Sequence, residues 1–367
     1  MTLTVTLRQA YERCLRGLRC ASLPRAVNTL ITGATGFVGR ALAASLRADG
    51  HAVRALVRAG SRPDARARLE ALGAALVEGD VRDEASVRAA AAGVEVVFHC
   101  ARLEDPRATR ADLEAVNLVG VENTLAACRA AGVRRVVHLS TADVTLSGDA
   151  RPYVDEDLAQ PADFLDARTE TRALAEDLCV AASDDALETV VLRPGWLWGD
   201  DDTCLAARLV RAARDKSFRW IDGGAALCAT TNVRNLTAAM LLAARSPDAP
   251  GQTYYVTDDE RITVREFFTR LAGALGVTLP RASTPYVVAY ALAWVDERRS
   301  PAPARLRSEV ASLGRSTHFN VQRARTQLGY APAVDVSEGL RRVQSWAARV
   351  GLDAVAKGEL AQRGGDE

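Results

Sequence analysis

The sequence predicts an α/β protein built on a doubly wound parallel sheet, with a second, smaller and mostly helical C-terminal lobe. Two observations predict this class. The apolar run from Val27 to Thr32 leads straight into three glycines, Gly33, Gly36 and Gly39, that open an amphipathic helix. From there to Pro194, strand-like and helix-like patterns alternate, which is the rhythm of parallel strands joined by crossover helices.

The glycine run is a dinucleotide cradle of the Rossmann type. Gly33 permits the tight turn, Gly36 lets the backbone approach a pyrophosphate at the helix N-terminus, and Gly39 lets helix and strand pack closely. Thr35, Phe37 and Val38 lie between them and complete the cradle. The helix from Phe37 to Asp49 stops at Gly50, and a second strand, Ala52 to Val57, follows. Further strands are expected at Ala75 to Val77, Val94 to His99, Arg135 to Leu139 and Thr189 to Leu192. The helices between them are expected at Asp83 to Ala92, Ala108 to Ala131 and Asp163 to Ala182. Right-handed crossovers place the strand C-termini along one edge, where the ligand lies.

After Pro194 the rhythm changes to a helix, the Trp220-Ile-Asp-Gly-Gly224 turn, a helix after Asn232, a short strand at Thr253 to Val256, and helices to about Val350. The organisation read from this is an N-terminal extension (1–26), a dinucleotide-binding domain (27–193), a small substrate lobe (194–348) and a polar tail (349–367). A segment near 228–245 is expected to return to the first domain. Pro285 to Val295 is a continuous apolar helix, too short to span a bilayer. It suits a core helix, or a lid or membrane-surface contact.

Composition narrows the class. The 367 residues carry 47 Lys+Arg against 46 Asp+Glu, a net charge of +1 with no long basic block, so nucleic acid is not an expected partner. Cys14, Cys20, Cys100, Cys128, Cys179, Cys204 and Cys228 are odd in number and lack metal-ligand or disulfide spacing. A reducing cytoplasm and no metal follow as expectations, and no apolar stretch is long enough to cross a membrane. The first 26 residues carry Arg8, Arg13, Arg16, Arg19 and Arg25 with Glu12 as their one acid. That composition fits a surface helix, an upstream translation start or an organelle leader.

Seven motifs in order resemble the extended short-chain dehydrogenase/reductase family. They are Thr32-Gly-Ala-Thr-Gly-Phe-Val-Gly39, Gly79-Asp-Val-Arg-Asp83, Val97-Phe-His-Cys-Ala101, Val116-Asn-Leu-Val-Gly120, Leu139-Ser-Thr141, Leu192-Arg-Pro-Gly195 and Leu328-Gly-Tyr-Ala-Pro332. The Leu-Arg-Pro-Gly-Trp-Leu-Trp-Gly run ending at Gly199, with Phe218 to Gly224, is most similar to bacterial 3β-hydroxysteroid dehydrogenase-like and dihydroflavonol reductase-like members. The resemblance implies an NAD(P)-dependent oxidoreductase and a homodimer formed through the helices Ala108 to Ala131 and Asp163 to Ala182.

It also implies cofactor contacts at Asp80 and Val81 beside the adenine, at Cys100 and Ala101 beneath the ribose, and at Pro194 and Gly195. The second strand ends in Arg54-Ala-Leu-Val-Arg58, with no acid to hold a ribose 2′-hydroxyl. Val57 stands where NAD-preferring relatives carry that acid, and Arg58 where NADP-preferring ones carry a phosphate-binding guanidinium. NADP(H) is therefore the expected cofactor, with NAD(H) the alternative.

The chain departs from the family at the proton relay. The family helix reads Tyr-x-x-x-Lys-x-x-Ala-Glu, and here it reads Arg168-Thr-Glu-Thr-Arg172-Ala-Leu-Ala-Glu176. The Ala175-Glu176 ending fixes the register, so Arg168 replaces the phenol and Arg172 the ammonium. A guanidinium does not relay protons near neutral pH, although Arg172 can still donate hydrogen bonds to ribose hydroxyls. Thr141 keeps the place of the substrate-binding hydroxyl. Tyr153, Asp163 and Asp166 are the candidates for a relocated acid, while His99 and His138 read as buried structural imidazoles and Glu170 as a surface charge.

Trp196, Trp198, Phe218 and Trp220 suggest an aromatic pocket for a flat hydrophobic alcohol or ketone, sterol-like or polyketide-like. They would equally serve as the core of the small lobe. Two functions follow: an NADP-dependent oxidoreductase with an altered relay, or a cofactor-binding protein without hydride transfer that acts as a sensor or partner subunit.

Overall fold

A computed structural model of the chain describes residues 26–105, 108–300 and 306–359. The expectations for most of the N-terminal extension and for the end of the polar tail lie outside the described residues. Seven strands form one all-parallel sheet: β1 (Asn28–Thr32), β2 (Ala52–Val57), β3 (Ala75–Glu78), β4 (Val96–His99), β5 (Arg135–Leu139), β6 (Glu188–Pro194) and β7 (Gln252–Val256). Their order is β7-β6-β5-β4-β1-β2-β3. The chain winds outward from β1 to β3, then crosses back to place β4 on the other side of β1. The C-terminal ends of β1 and β4 therefore flank the crevice where such folds bind ligands.

The inner strands are continuous apolar runs because helices cover both faces. On one face, Leu42 and Leu46 of helix Phe37–Ala48 and Leu236 and Met240 of helix Val233–Arg245 pack against Ile31, Phe98, Val137 and Leu192. On the other, Val87 of helix Glu84–Ala91 and Leu125 of helix Gly120–Ala131 pack against Leu30, Val97 and Val136.

Four features differ from the sequence expectation. Pro63–Ala71 is an additional helix, which escaped notice because only Ala65 and Leu69 of its nine residues are buried. Ala108 to Ala131 is not uniform: helix Arg110–Glu114 passes through a π-turn, Ala115–Val119, before helix Gly120–Ala131. The helix expected from Asp163 begins at Ala167, where the Asp166 carboxylate accepts the Thr169 N–H at 2.9 Å and caps the first turn. Gln252–Val256 is the edge strand of the main sheet, paired with β6.

The small lobe has its own core of Trp198, Leu209, Trp220, Phe267, Phe268 and Trp346. Short parallel pairs tie it to the sheet end, Thr230–Asn232 against Trp196–Trp198 and Thr317–Phe319 against Arg151–Val154. Among the described residues, no helix is long and apolar enough to cross a membrane.

Candidate active site

The turn after β1 is built for close approach. Gly33 has φ +65°, and a Cβ there would lie 2.6 Å from the backbone of Cys100 and Ala101 at the end of β4. A Cβ on Gly39 would lie 2.4 Å from the Gly33 carbonyl, so helix and turn touch backbone to backbone. The helix that starts at Phe37 has no side-chain cap and no acid in its first turn, leaving its N-terminus to an anion. Arg40 holds this turn in place: its guanidinium donates to the Thr35 carbonyl at 2.6 Å and to the Asp201 carbonyl at 3.2 Å. Burial pushes Arg40 down to about 10. Sequence reasoning missed this residue, whose role depends on a loop far along the chain.

At the sheet's other flank Arg58 is exposed at the end of β2. Its N–H donates to Ser61 Oγ at 3.1 Å, fixing the loop that presents it. Asp80 accepts from Arg82 Nε at 3.0 Å and Nη2 at 2.7 Å. That pair holds its carboxyl below the usual range, with Arg58 contributing at longer reach. Val81 is buried against Gly120, and Asn123 donates to its carbonyl at 2.9 Å.

Where the family's relay belongs, the structure gathers six charged groups. Arg172 is buried and pairs with Glu104, leaving its Nε without a partner among the described residues. Glu104 also meets Arg102 at 2.9 Å. Arg168 faces Asp166 at 3.4 Å, and Asp166 also accepts from Ser308 Oγ. The sixth group is Asp143. It lies in the 3-10 turn Ala142–Thr145 after β5, and its own N–H donates to Thr141 Oγ1 at 3.3 Å. Thr141 is buried and caps that turn.

Asp143 and Leu146 line a cleft with Gly195, Trp196, Cys228 and Phe319. Burial raises the Asp143 carboxyl above its usual range against the opposing pull of Arg172 and Arg168, while Glu104 and Asp166 raise it further. The sequence reading did not single out Asp143. Its signal was present, since it stands two residues beyond Thr141 at a strand end. Of the other candidate acids, Tyr153 is 67% exposed and Asp163 is exposed, while Asp166 belongs to the cluster but is occupied as a helix cap.

Two framework contacts hold this cluster. Asn117, in the π-turn, accepts the Leu103 N–H at 2.8 Å and donates to Thr171 Oγ1 at 3.2 Å, joining the Glu104 loop to the Arg172 helix. Glu176 takes Arg193 Nε at 2.9 Å and Nη2 at 2.7 Å in a buried pair that fastens the same helix to β6. His99 and His138 stack at 5.4 Å, and burial pushes them down to about 4 and about 3, so both are neutral. Glu170 bridges to Arg110 on the surface at 2.8 Å.

The aromatic residues divide. Trp196 is partly exposed, lines the cleft and donates from Nε1 to Ser312 Oγ at 2.8 Å. Trp198 and Trp220 do not line that cleft. Trp198 is fully buried with its Nε1–H on Asp258 at 2.7 Å, and Trp220 packs edge-on against Phe218 with Arg265 over its ring. They form the lobe's core because Phe267, Phe268 and Asp258 come to meet them, partners distant in the sequence. Pro194 ends β6, and the next residue, Gly195, is pressed so close to the Ala229 carbonyl that a Cβ would lie 2.4 Å from it.

Residues 30–286 match the 3-beta hydroxysteroid dehydrogenase/isomerase family. The chain belongs to that family. Within it, the chain is 38% identical over 322 residues to a 4-hydroxy-2-methyl-3-oxo-4-farnesyl-3,4-dihydroquinoline-1-oxide ketoreductase of Stigmatella aurantiaca, covering 86% of this chain and 95% of the relative. It is 33% identical over 339 residues to a 2-alkyl-3-oxoalkanoate reductase of Stenotrophomonas maltophilia, covering 87% and 99%. The fold matches the UDP-glucuronic acid 4-epimerase of Bacillus cereus, solved in complex with NAD, with TM-score 0.69, 17% identity and coverage of 90% and 100%.

The residues of this family member suit a dinucleotide. The Gly33 turn is a cradle that a Cβ would fill, the helix behind it has no side-chain cap, and Arg172 Nε is a buried donor without a partner among the described residues. No group of three or more His, Cys, Asp or Glu able to hold a metal occurs among the described residues.

Proposed function

We propose that this chain is an NADPH-dependent ketoreductase acting on a hydrophobic ketone, and that Asp143 supplies the proton that the missing phenol would have given. The observation that carries the reading is the position of Asp143. It is the carboxyl that lines the apolar cleft, two residues from Thr141, with its carboxyl raised above the usual range.

Gly33, Gly36 and Gly39 would receive the pyrophosphate, Asp80 and Val81 the adenine, and Cys100 and Ala101 the ribose beside it. Arg58 would meet the 2′-phosphate, and the Arg172 Nε–H a nicotinamide ribose hydroxyl. When bound, the reduced cofactor supplies the hydride. The chain's part is to hold the ketone oxygen with the Thr141 hydroxyl and to protonate it. As the hydride reached the carbonyl carbon, the Asp143 carboxyl would give its proton to the oxygen, and the resulting carboxylate would recover a proton from water. Burial shifts the Asp143 carboxyl in the direction a general acid needs, since a raised pKa lets it hold its proton to higher pH than a solvated carboxyl does.

Apolar Leu146, Trp196 and Phe319 around the cleft favour a hydrophobic body beside the ketone. Relatives named for a farnesylated quinoline ketone and for 2-alkyl-3-oxoalkanoates support that substrate class. The pairing of Arg168 and Arg172 with Asp166 and Glu104 favours a second reading, in which the relay is replaced by a structural charge network and the protein binds cofactor without turnover. Asp143→Asn separates the two. Under the first reading it lowers kcat by about 10²- to 10⁴-fold with NADPH affinity unchanged. Under the second, the parent itself is silent.

A further inference from the structure

Helix Tyr286–Arg299 is anchored on one side and bare on the other. Its inner face is fixed by Tyr286, Ala289 and Ala293, which pack on Ile221 and Val310. The Tyr286 N–H donates to Asp222 Oδ1 at 2.8 Å, and its hydroxyl donates to the Gly148 carbonyl at 3.2 Å. The outer face runs through Val287, Val288, Ala291, Leu292 and Trp294 without a polar side chain, and Val287 is 70% exposed. Residues three and four apart on a helix share a face, and the pairs Val287/Ala291, Val288/Ala291, Val288/Leu292 and Ala291/Trp294 link these five into one stripe about two turns long.

Soluble surfaces seldom keep such a stripe unless something covers it. The charges around it say what. Arg298 and Arg299 are exposed at its C-terminal end, with the Arg298 guanidinium 3.5 Å from the Trp294 ring centroid, and Arg281 is exposed just before its N-terminal end. The acids on this helix are Asp296 and Glu297, both turned partly inward, and Glu297 is held by Arg307 at 2.6 Å.

A second copy laid on this stripe, parallel or antiparallel, would bring cation against cation at both ends. An apolar stripe edged by a Trp and bounded by arginines matches an anionic lipid surface instead. We propose that this helix seats the protein on an anionic bilayer surface, with Val287, Leu292 and Trp294 in the headgroup and acyl boundary and Arg281, Arg298 and Arg299 on the lipid phosphates. The helix lies beside the cleft: Tyr286 touches the loop at Gly148, and the neighbouring helix Arg307–Gly314 carries Ser312, which lines it. A lipophilic ligand would thus reach the cleft from the membrane side. The inference is independent of the proposed reduction, because it needs only the surface.

Vesicle co-sedimentation tests it with the full chain, using phosphatidylcholine/phosphatidylglycerol vesicles and pure phosphatidylcholine vesicles. The protein is expected to sediment with the anionic vesicles at low salt, to be released by high salt and to leave neutral vesicles largely unbound. Val287→Glu with Leu292→Glu should abolish sedimentation, and Arg298→Gln with Arg299→Gln should weaken it by roughly 10- to 30-fold. NADPH binding and melting temperature should be unchanged in all variants, since these side chains face solvent.

Failure of the parent to bind anionic vesicles overturns the proposal, as does undiminished binding by the Val287→Glu/Leu292→Glu variant. If light scattering shows the parent's mass halved by that variant, the stripe is covered by a second copy and the lipid assignment is wrong.

Discussion

At the scale of the residue, the account turns on Asp143, Arg58 and the two buried imidazoles. If Asp143 is the acid, kcat falls as pH rises through its raised pKa, because the protonated form is the active one. Asp143→Asn should remove that limb along with most of the rate, as a pH profile of the parent and variant will reveal. Arg58→Ala should weaken NADPH by roughly 10- to 100-fold, the value of a charge-assisted contact, and leave NADH unaffected. Isothermal titration with both cofactors checks this, and equal affinities in the parent would sink the NADP assignment.

The histidines make a separate prediction about stability. Their folded pKa values lie below the unfolded value of about 6.5, so unfolding takes up protons at mildly acidic pH. Stability present above that pH is lost as pH falls toward about 4, by roughly 3 kcal/mol per histidine at most. Asp202, pushed up to about 6 by burial, acts in the opposite sense over part of that window. The informative quantity is therefore the difference in slope between the parent and His138→Gln, measured by denaturant titration across the range. The variant should lose less.

At the scale of the element, helix Ala167–Ala181 carries the departure from the family. Its Ala175-Glu176 ending survives because Glu176 is the buried partner of Arg193 in Leu192-Arg-Pro-Gly195, so two motifs that read as separate in the sequence are one fastening. Glu176→Gln strands the Arg193 charge and should cost about 3 to 5 kcal/mol, whereas Glu176→Leu with Arg193→Met should cost far less. Thermal melts of the two variants decide this.

The sheet strands were legible because they are continuous apolar runs bounded by turns, and the cradle because its glycines follow a strand and open a helix. Pro63–Ala71 was not, since it buries too little to show a period. Nor was the π-turn at Asn117, which exists to aim one side chain at Leu103 and Thr171. The placement of Trp198 and Trp220 depended on partners that only the folded chain supplies.

At the scale of the whole molecule, exposed apolar side chains remain on two neighbouring helical segments: Val119 in the π-turn, and Leu174 and Val180 on helix Ala167–Ala181. They lie on the helix pair through which a homodimer is proposed, and light scattering should give about twice 39.2 kDa. A mass near 39.2 kDa at micromolar concentration would contradict the dimer.

The central claim is that a chain with arginines in place of the family's phenol and ammonium still reduces ketones. The most direct measurement is oxidation of NADPH by the purified protein against a panel of hydrophobic ketones that includes long-chain 2-alkyl-3-oxo acids and alkylquinolone ketones, with cofactor binding followed in parallel. The account predicts NADPH consumption matched by alcohol formation, abolished in Asp143→Asn while NADPH still binds. Tight NADPH binding with no consumption across the panel, restored by Arg168→Tyr with Arg172→Lys, would contradict it and mark the chain as a cofactor-binding protein whose relay has been lost.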